Sequence, residues 1–155
     1  MAGVLDGLRV LDLSWGIAGP ICTMLLADHG AEVTRIERPR GEEPADPRAR
    51  LGAHAWHRGK RSAVLDLKDP GDAALFCALA READVLVESM SPGATTRLGI
   101  DYPALSAANP RLIYCSITGY GQSGPKAHLA AHDLNYVAET GLLHLTAGPD
   151  GAPVV

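Results

Sequence analysis

The chain predicts an α/β domain built on an open, mainly parallel sheet with helices on both faces. Three observations carry this. Apolar runs of five or six residues recur along the chain, helical patterns fall between them, and the apolar residues are mostly Leu, Ala and Val with few aromatics. At 155 residues and 46% hydrophobic content, one globular domain of this size would bury roughly 68 to 70% of its unfolded surface.

Residues 8–13 (Leu-Arg-Val-Leu-Asp-Leu) read as the first strand, followed by a turn at 14–19 (Ser-Trp-Gly-Ile-Ala-Gly). A helical pattern then runs from Pro20, suited to the first helical position, to about His29, with Gly30 as its stop. Residues 32–37 form a second strand that Arg38-Pro39 ends. Residues 40–61, rich in Pro, Arg and Gly, show no clear period, and loops of that length are usually functional or mobile. Residues 62–67 read as a third strand. Asp69 then supplies an N-cap, Pro70 a first helical residue and Asp72 a first-turn acid for a helix to about Glu82. A fourth strand at 84–88 precedes a short helical turn from Ser91-Pro92-Gly93 toward Leu98, and a further short helix spans 102–108. The fifth strand, 111–117, reads as buried and runs into a glycine-rich loop. No internal repeat or low-complexity tract is present.

Several function classes are disfavoured. No apolar run reaches the length of about 20 residues that crosses a bilayer, and the first residues have neither a basic nor an apolar leader segment, so a cytoplasmic protein without a membrane partner is expected. Cys22, Cys77 and Cys115 are odd in number and widely spaced, which suggests reduced core thiols. A nucleophilic Cys115 is the alternative, although nothing near it in sequence lowers its pKa. The net charge of -4 conceals an asymmetry. Between Arg35 and Arg61 lie eight of the 14 Lys and Arg against four acids, so this segment is +4 and the remainder -8. A solvated basic loop would explain it, but its start at a strand end favours a site for an anionic small molecule. Nucleic acid is not expected, because Trp56 is the segment's one stacking aromatic and the domain as a whole is acidic.

Gly119-Tyr120-Gly121-Gln122-Ser123-Gly124 matches Gly-x-Gly-x-x-Gly after a strand, yet Pro125-Lys126 follows where a helix should open, so it does not read as a dinucleotide fingerprint. The first turn, with Gly16, Gly19 and Glu37 after the second strand, is better placed for NAD but lacks the middle glycine. NAD is not the expected cofactor. His128 and His132, and His54 and His57, lack the further ligands of a metal site, and no metal is expected; His29 and His144 look incidental. Leu134, Val137, Ala138, Gly141 and Leu142 follow helical spacing, which puts His132 and Asp133 at a helix N-terminus. There the dipole favours the Asp133 carboxylate and a neutral His132 imidazole suited to act as a base. Equally, Asp133 could be a cap and His132 an ordinary loop residue.

Taken together, Leu11-Asp-Leu-Ser14 with Ala18-Gly-Pro20, Leu26-Ala-Asp-His-Gly-Ala-Glu-Val33 leading to Ile36-Glu-Arg-Pro39, Gly59-Lys-Arg-Ser62 with Leu65-Asp-Leu-Lys68, Asp84-Val-Leu-Val-Glu88, Pro92-Gly93 to Arg97-Leu-Gly99, and Ile117-Thr-Gly-Tyr-Gly121 with Gly124-Pro125 resemble the family III CoA-transferases, a family that includes the 2-methylacyl-CoA racemases. The similarity runs the whole chain, in an order and spacing that are specific. It implies that residues 1–155 are the amino-terminal part of a Rossmann-like domain that binds coenzyme A at its strand ends, with a long basic loop at 38–61. It also implies that the carboxy-terminal part of the family fold lies beyond Val155.

By resemblance Arg38 contacts the nucleotide part of CoA, and Leu67, Lys68, Ser89, Met90 and Arg97 line the CoA site. The implied reaction moves CoA between an acyl-CoA and a carboxylic acid through an aspartyl intermediate. The essential carboxylate would lie in an Asp-x-x-Gly-Gly type motif downstream of this stretch, and the full-length protein would be an interlocked homodimer. Ala131-His132-Asp133-Leu134-Asn135-Tyr136 resembles the racemase stretch whose His moves the α-proton, while the first turn at 14–17 departs from the racemases. The transferase is therefore the expected activity. A racemase using His132 and a carboxylate, or a non-catalytic CoA-binding module, are the alternatives.

Overall fold

Five parallel strands form one open sheet in the order β3-β2-β1-β4-β5. They are β1 (Arg9–Leu13), β2 (Glu32–Glu37), β3 (Arg61–Val64), β4 (Val85–Glu88) and β5 (Ile113–Ser116). The structure, a computed structural model, describes residues 3–39, 55–148 and 151–152. Most of the expected basic loop, with Arg40, Arg48, Arg50 and His54, is outside the described residues. The chain divides into two units, Met1–Ile117 and Thr118–Val155. The first holds the sheet with α1 (Ala18–Asp28), α2 (Pro70–Glu82), α3 (Ala94–Arg97) and α4 (Tyr102–Ala108), and the second holds α5 (Asp133–Glu139) and α6 (Leu142–Leu145).

Alternation along β1 sorts the core into two layers. Val10 joins Val33, Val85 and Val87 under Leu26 and Ala27 of α1. Leu11 and Leu13 join Ile36 and Leu86 under Phe76 and Ala80 of α2 and Leu105 of α4. Beyond exposed Arg9, β1 and β4 are buried on both faces and mainly apolar, as central parallel strands should be, with Asp12 and Glu88 the polar exceptions. The chain runs outward from β1 to β3 and then crosses back to β4. The connection reverses between β1 and β4, and ligands of open parallel sheets bind at such a reversal.

Several boundaries differ from the sequence reading. The helix expected from Pro20 begins two residues earlier. Pro20 is tolerated there because the first-turn amides of a helix have no intrahelical partner to lose. The third strand ends at Val64, three residues early, where the chain turns toward α2. The fifth strand is an edge with a single neighbour, and Ile113 on it is 62% exposed rather than buried. Gly141, at φ +78°, breaks the expected helical run into α5 and α6.

A buried ion pair ties the first unit together. Lys60, just before β3, donates from Nζ to Asp12 Oδ2 (2.8 Å), to the Pro20 carbonyl (2.9 Å) and to Thr23 Oγ1 (2.6 Å). The Thr23 hydroxyl in turn donates to Asp12 Oδ2 (2.6 Å), and the Ser14 amide donates to Asp12 Oδ1 (2.9 Å). The Lys60 and Asp12 side chains are 1% and 0% exposed. Burial pulls the Lys60 ammonium below its usual range, and Asp12 opposes that shift. Removing one partner of such a pair strands a buried charge. Lys60→Met is expected to cost about 3 to 5 kcal/mol in urea denaturation, and an Asp12→Leu/Lys60→Met double variant to recover much of that loss.

His57 lies near this pair. Burial, then the positive charges of Arg35 and Lys60, lowers its pKa to about 4, and its buried Nδ1 has no hydrogen-bond partner among the described residues. Between about pH 4 and 6.5 the unfolded chain takes up a proton that folded His57 refuses. Its contribution to stability is therefore complete above pH 6.5 and is lost as the pH falls toward 4. Denaturation midpoints measured across that window should decline with acidity, and less steeply in His57→Gln.

Candidate functional site

A cleft of about 980 Å³ opens at the carboxyl ends of the strands, at the reversal between β1 and β4. Leu13, Ile36, Leu65 and Leu98 give it an apolar floor, and Arg38, Lys68 and Arg97 bring cations to its rim from three separate elements. Local chemistry fixes each wall. Beyond β3, the Asp66 amide donates to Asp72 Oδ2 (2.8 Å) and the Lys68 amide to Asp66 Oδ1 (3.0 Å). Asp69 Oδ1 accepts the first free amides of α2 from Gly71 and Asp72, holding Leu67 and Lys68 in a braced turn.

Beyond β4, Ser91-Pro92-Gly93-Ala94 makes a tight turn with the Ala94 amide on the Ser91 carbonyl (3.0 Å) and Gly93 at φ +79°. Pro at the second and Gly at the third position are what a type II turn requires. This turn launches α3 and aims Arg97 at the cleft. The Met90 amide donates to Glu88 Oε2 (2.6 Å), and Ser89 Oγ accepts the Trp15 amide (2.7 Å), joining the loops that follow β4 and β1. The Arg38 guanidinium stacks 4.3 Å from the centroid of the Trp15 ring.

The structure thus gathers Arg38, Leu67, Lys68, Ser89, Met90 and Arg97 around one cleft. Sequence reasoning missed Trp15, whose signal was an aromatic side chain in a glycine-containing turn directly after the first strand. It also misjudged much of the basic segment. Arg35 pairs with Glu37, Arg58 with Asp28, Lys60 with Asp12 and Arg61 with Glu32. Of the segment's described cations only Arg38 lines the cleft, where Lys68 and Arg97 join it from outside the segment.

His132 and Asp133 belong to the second unit and are exposed. His132 is the N-cap of α5, and its amide donates to Asn135 Oδ1 (2.8 Å), so Asp133 is the first helical residue and not the cap. Within this unit the glycine-rich loop is fastened to α5. Tyr120 donates to Glu139 (2.8 Å), Lys126 pairs with Glu139, and the rings of Tyr120 and Tyr136 meet edge to face. A Cβ at Gly119 would collide with the Tyr136 hydroxyl, which accounts for that glycine without a phosphate. Cys115 is half-buried, and burial pushes its thiol up, away from nucleophilic use. Among the described residues no group of three or more His, Cys, Asp or Glu is arranged to hold a metal.

A parallel sheet with a cation-rimmed cleft at its topological reversal is the arrangement in which open α/β proteins bind ligands. The sequence pattern of CoA-transferase family III matches residues 5–155, and the chain belongs to that family. It is 43% identical to an acetyl-CoA:oxalate CoA-transferase of Acetobacter aceti over 97% of this chain and 40% of the relative. It is 45% identical to the human alpha-methylacyl-CoA racemase over 90% of this chain and 34% of the relative. A CAIB/BAIF family protein from Brucella suis superposes over the entire chain and 44% of its own length, with a TM-score of 0.93 and 37% identity. The chain therefore spans about two fifths of the length of these relatives.

Gly93 offers a direct check on how the cleft is built. Alanine there must adopt a left-handed backbone, which costs about 1 to 2 kcal/mol. Gly93→Ala should lower the melting temperature and, by displacing α3, weaken any anionic ligand held through Arg97.

Proposed function

We propose that the full-length protein is a family III CoA-transferase that moves CoA between an acyl-CoA and a carboxylic acid, and that this chain supplies the CoA-binding part. The observation that carries the reading is the convergence of Arg38, Lys68 and Arg97 on one apolar-floored cleft at the sheet reversal. CoA carries several phosphate charges, and guanidinium groups grip phosphate bidentately where an ammonium acts as a point charge. Leu67 and Met90 offer apolar surface to the rest of the cofactor, and Ser89 shapes the wall from behind. The Glu37 carboxylate is engaged by Arg35 (2.7 Å) and Ser62 (2.6 Å), which favours CoA over a nicotinamide dinucleotide that would need such an acid for its ribose. In this reading a family aspartate attacks the thioester to give an anhydride and then an enzyme-bound CoA thioester. The protein works in the cytoplasm as an interlocked homodimer, without a resident metal. No described helix is long and apolar enough to cross a membrane.

Arg38→Ala and Arg97→Ala should each weaken CoA binding by about tenfold or more in calorimetry, the value of a lost charge-assisted hydrogen bond. Unchanged affinity in both would sink the reading. CoA binding by the full-length protein without any transfer between acyl-CoA donors and carboxylic acids would instead indicate a binding module.

A 2-methylacyl-CoA racemase is the second reading, favoured by the residue 131–136 stretch and the racemase relative. There His132 would remove or return the α-proton on one face, and the carboxylate of the downstream Asp-x-x-Gly-Gly type motif would serve the other. Incubation with 2-methylacyl-CoA in deuterated water decides between them. Rapid α-deuteration abolished by His132→Ala means a racemase, and its absence leaves the transferase.

A further inference from the structure

We propose that Glu88 is a positioning residue for Arg97: by holding the Met90 amide it fixes the approach to α3 and so sets where the Arg97 guanidinium meets the cleft. For its effect on ligand affinity this rests on the CoA reading above. Glu88 ends β4 and is only 2% exposed. A glutamate enclosed at the end of an otherwise apolar strand is costly unless it is bonded. Among the described residues its side chain pairs with no Lys or Arg, and the hydrogen bond it makes comes from the Met90 amide (2.6 Å).

The backbone of Glu88 is held on both sides. It pairs with Leu13 of β1 and with Ser116 of β5, and its carbonyl accepts the Ile117 amide (2.8 Å). The side chain therefore carries the rigidity of the sheet two residues past its edge. The turn at 91–94 begins directly after Met90, and α3 follows from it with the Arg97 amide on the Gly93 carbonyl (3.2 Å). Four residues are too few for a helix to hold itself, and none of those in α3 is buried, so its direction is set from outside. Leu98 packs against the core at the far end, and Glu88 secures the near end. The Arg97 guanidinium lies over this turn, where a Cβ at Gly93 would come within 3.5 Å of its Nη1.

The test is a double-mutant cycle on the full-length protein, with CoA affinity read by calorimetry. Glu88→Met keeps the side-chain shape and removes the acceptor, and should weaken binding about three- to tenfold. Glu88→Gln retains an acceptor oxygen and should recover most of that loss, which separates the lost bond from a change of packing. In an Arg97→Ala background Glu88→Met should change affinity by less than about twofold. Equal losses in both backgrounds, or Glu88→Gln no better than Glu88→Met, overturn the proposal. A ligand-free arm separates this from the CoA reading. In protein carrying isotope-labelled methionine and arginine, Glu88→Met should speed hydrogen exchange of the Met90 amide about tenfold or more. It should also move the Arg97 Nε–H resonance, each signal being assigned by its loss in Met90→Leu or Arg97→Ala. If wild-type protein binds no CoA while both signals respond, the positioning stands and the CoA reading falls. If either signal fails to respond, the proposal is wrong. Should Glu88→Met fail to fold, the wild-type Met90 amide decides: protection well above that of neighbouring loop amides supports the anchor, and exchange at their rate overturns it.

Discussion

One lysine ammonium, removed from water against an aspartate, holds three distant parts of the first unit in register. Lys60 uses all three of its protons on Asp12, Thr23 and the Pro20 carbonyl, so the approach to β3, the middle of β1 and the first turn of α1 cannot shift independently. The effect reaches the cleft. Asp12 also orients Ser14, and α1 packs so closely on Ser14 that a Cβ at Gly19 would overlap it. Trp15 leaves from that fixed point. A neutral core of the same shape could match the stability of such a pair, but it would lack the directional bonds that set where the chain emerges.

The elements readable from sequence were those whose causes are local. Asp69 with Pro70 marked the start of α2 because a cap and a missing amide are properties of adjacent residues. The limits of β2 and α4 followed in the same way from flanking breakers. What escaped was set by partners far along the chain. Lys60 counted as one more charge in a basic segment, whereas its partner Asp12 lies 48 positions away. The exposure of Ile113 depends on the strand order, which is not written in residues 111–117. The six cleft residues were nameable because the family resemblance supplied their positions. Trp15 was passed over because its importance arises only once Arg38 folds onto it.

The glycine-rich stretch in the second unit shows how a motif can match for reasons unrelated to its usual chemistry. Gly121 and Gly124 take left-handed backbone that other residues rarely adopt, and Gly119 makes room for Tyr136. All three are accounted for by a loop folded against its own helix. His132 and Asp133 follow this loop at the start of α5, so their chemical use is separate from the reason for the glycines.

The pairing of β1 with β4 also bears on how the protein matures. The Arg9 amide bonds to Asp84 across 75 positions, and the Trp15–Ser89 contact spans nearly as many. Closing so long a loop carries an entropic penalty before any contact rewards it. The helix-linked neighbours β1 and β2, or β4 and β5, can associate earlier, but the cleft does not exist until the two halves of the sheet meet. A ligand seated there binds only the completed sheet and so draws the folding equilibrium toward it. The supply of any such ligand would thereby become a determinant of how much of the chain stays folded.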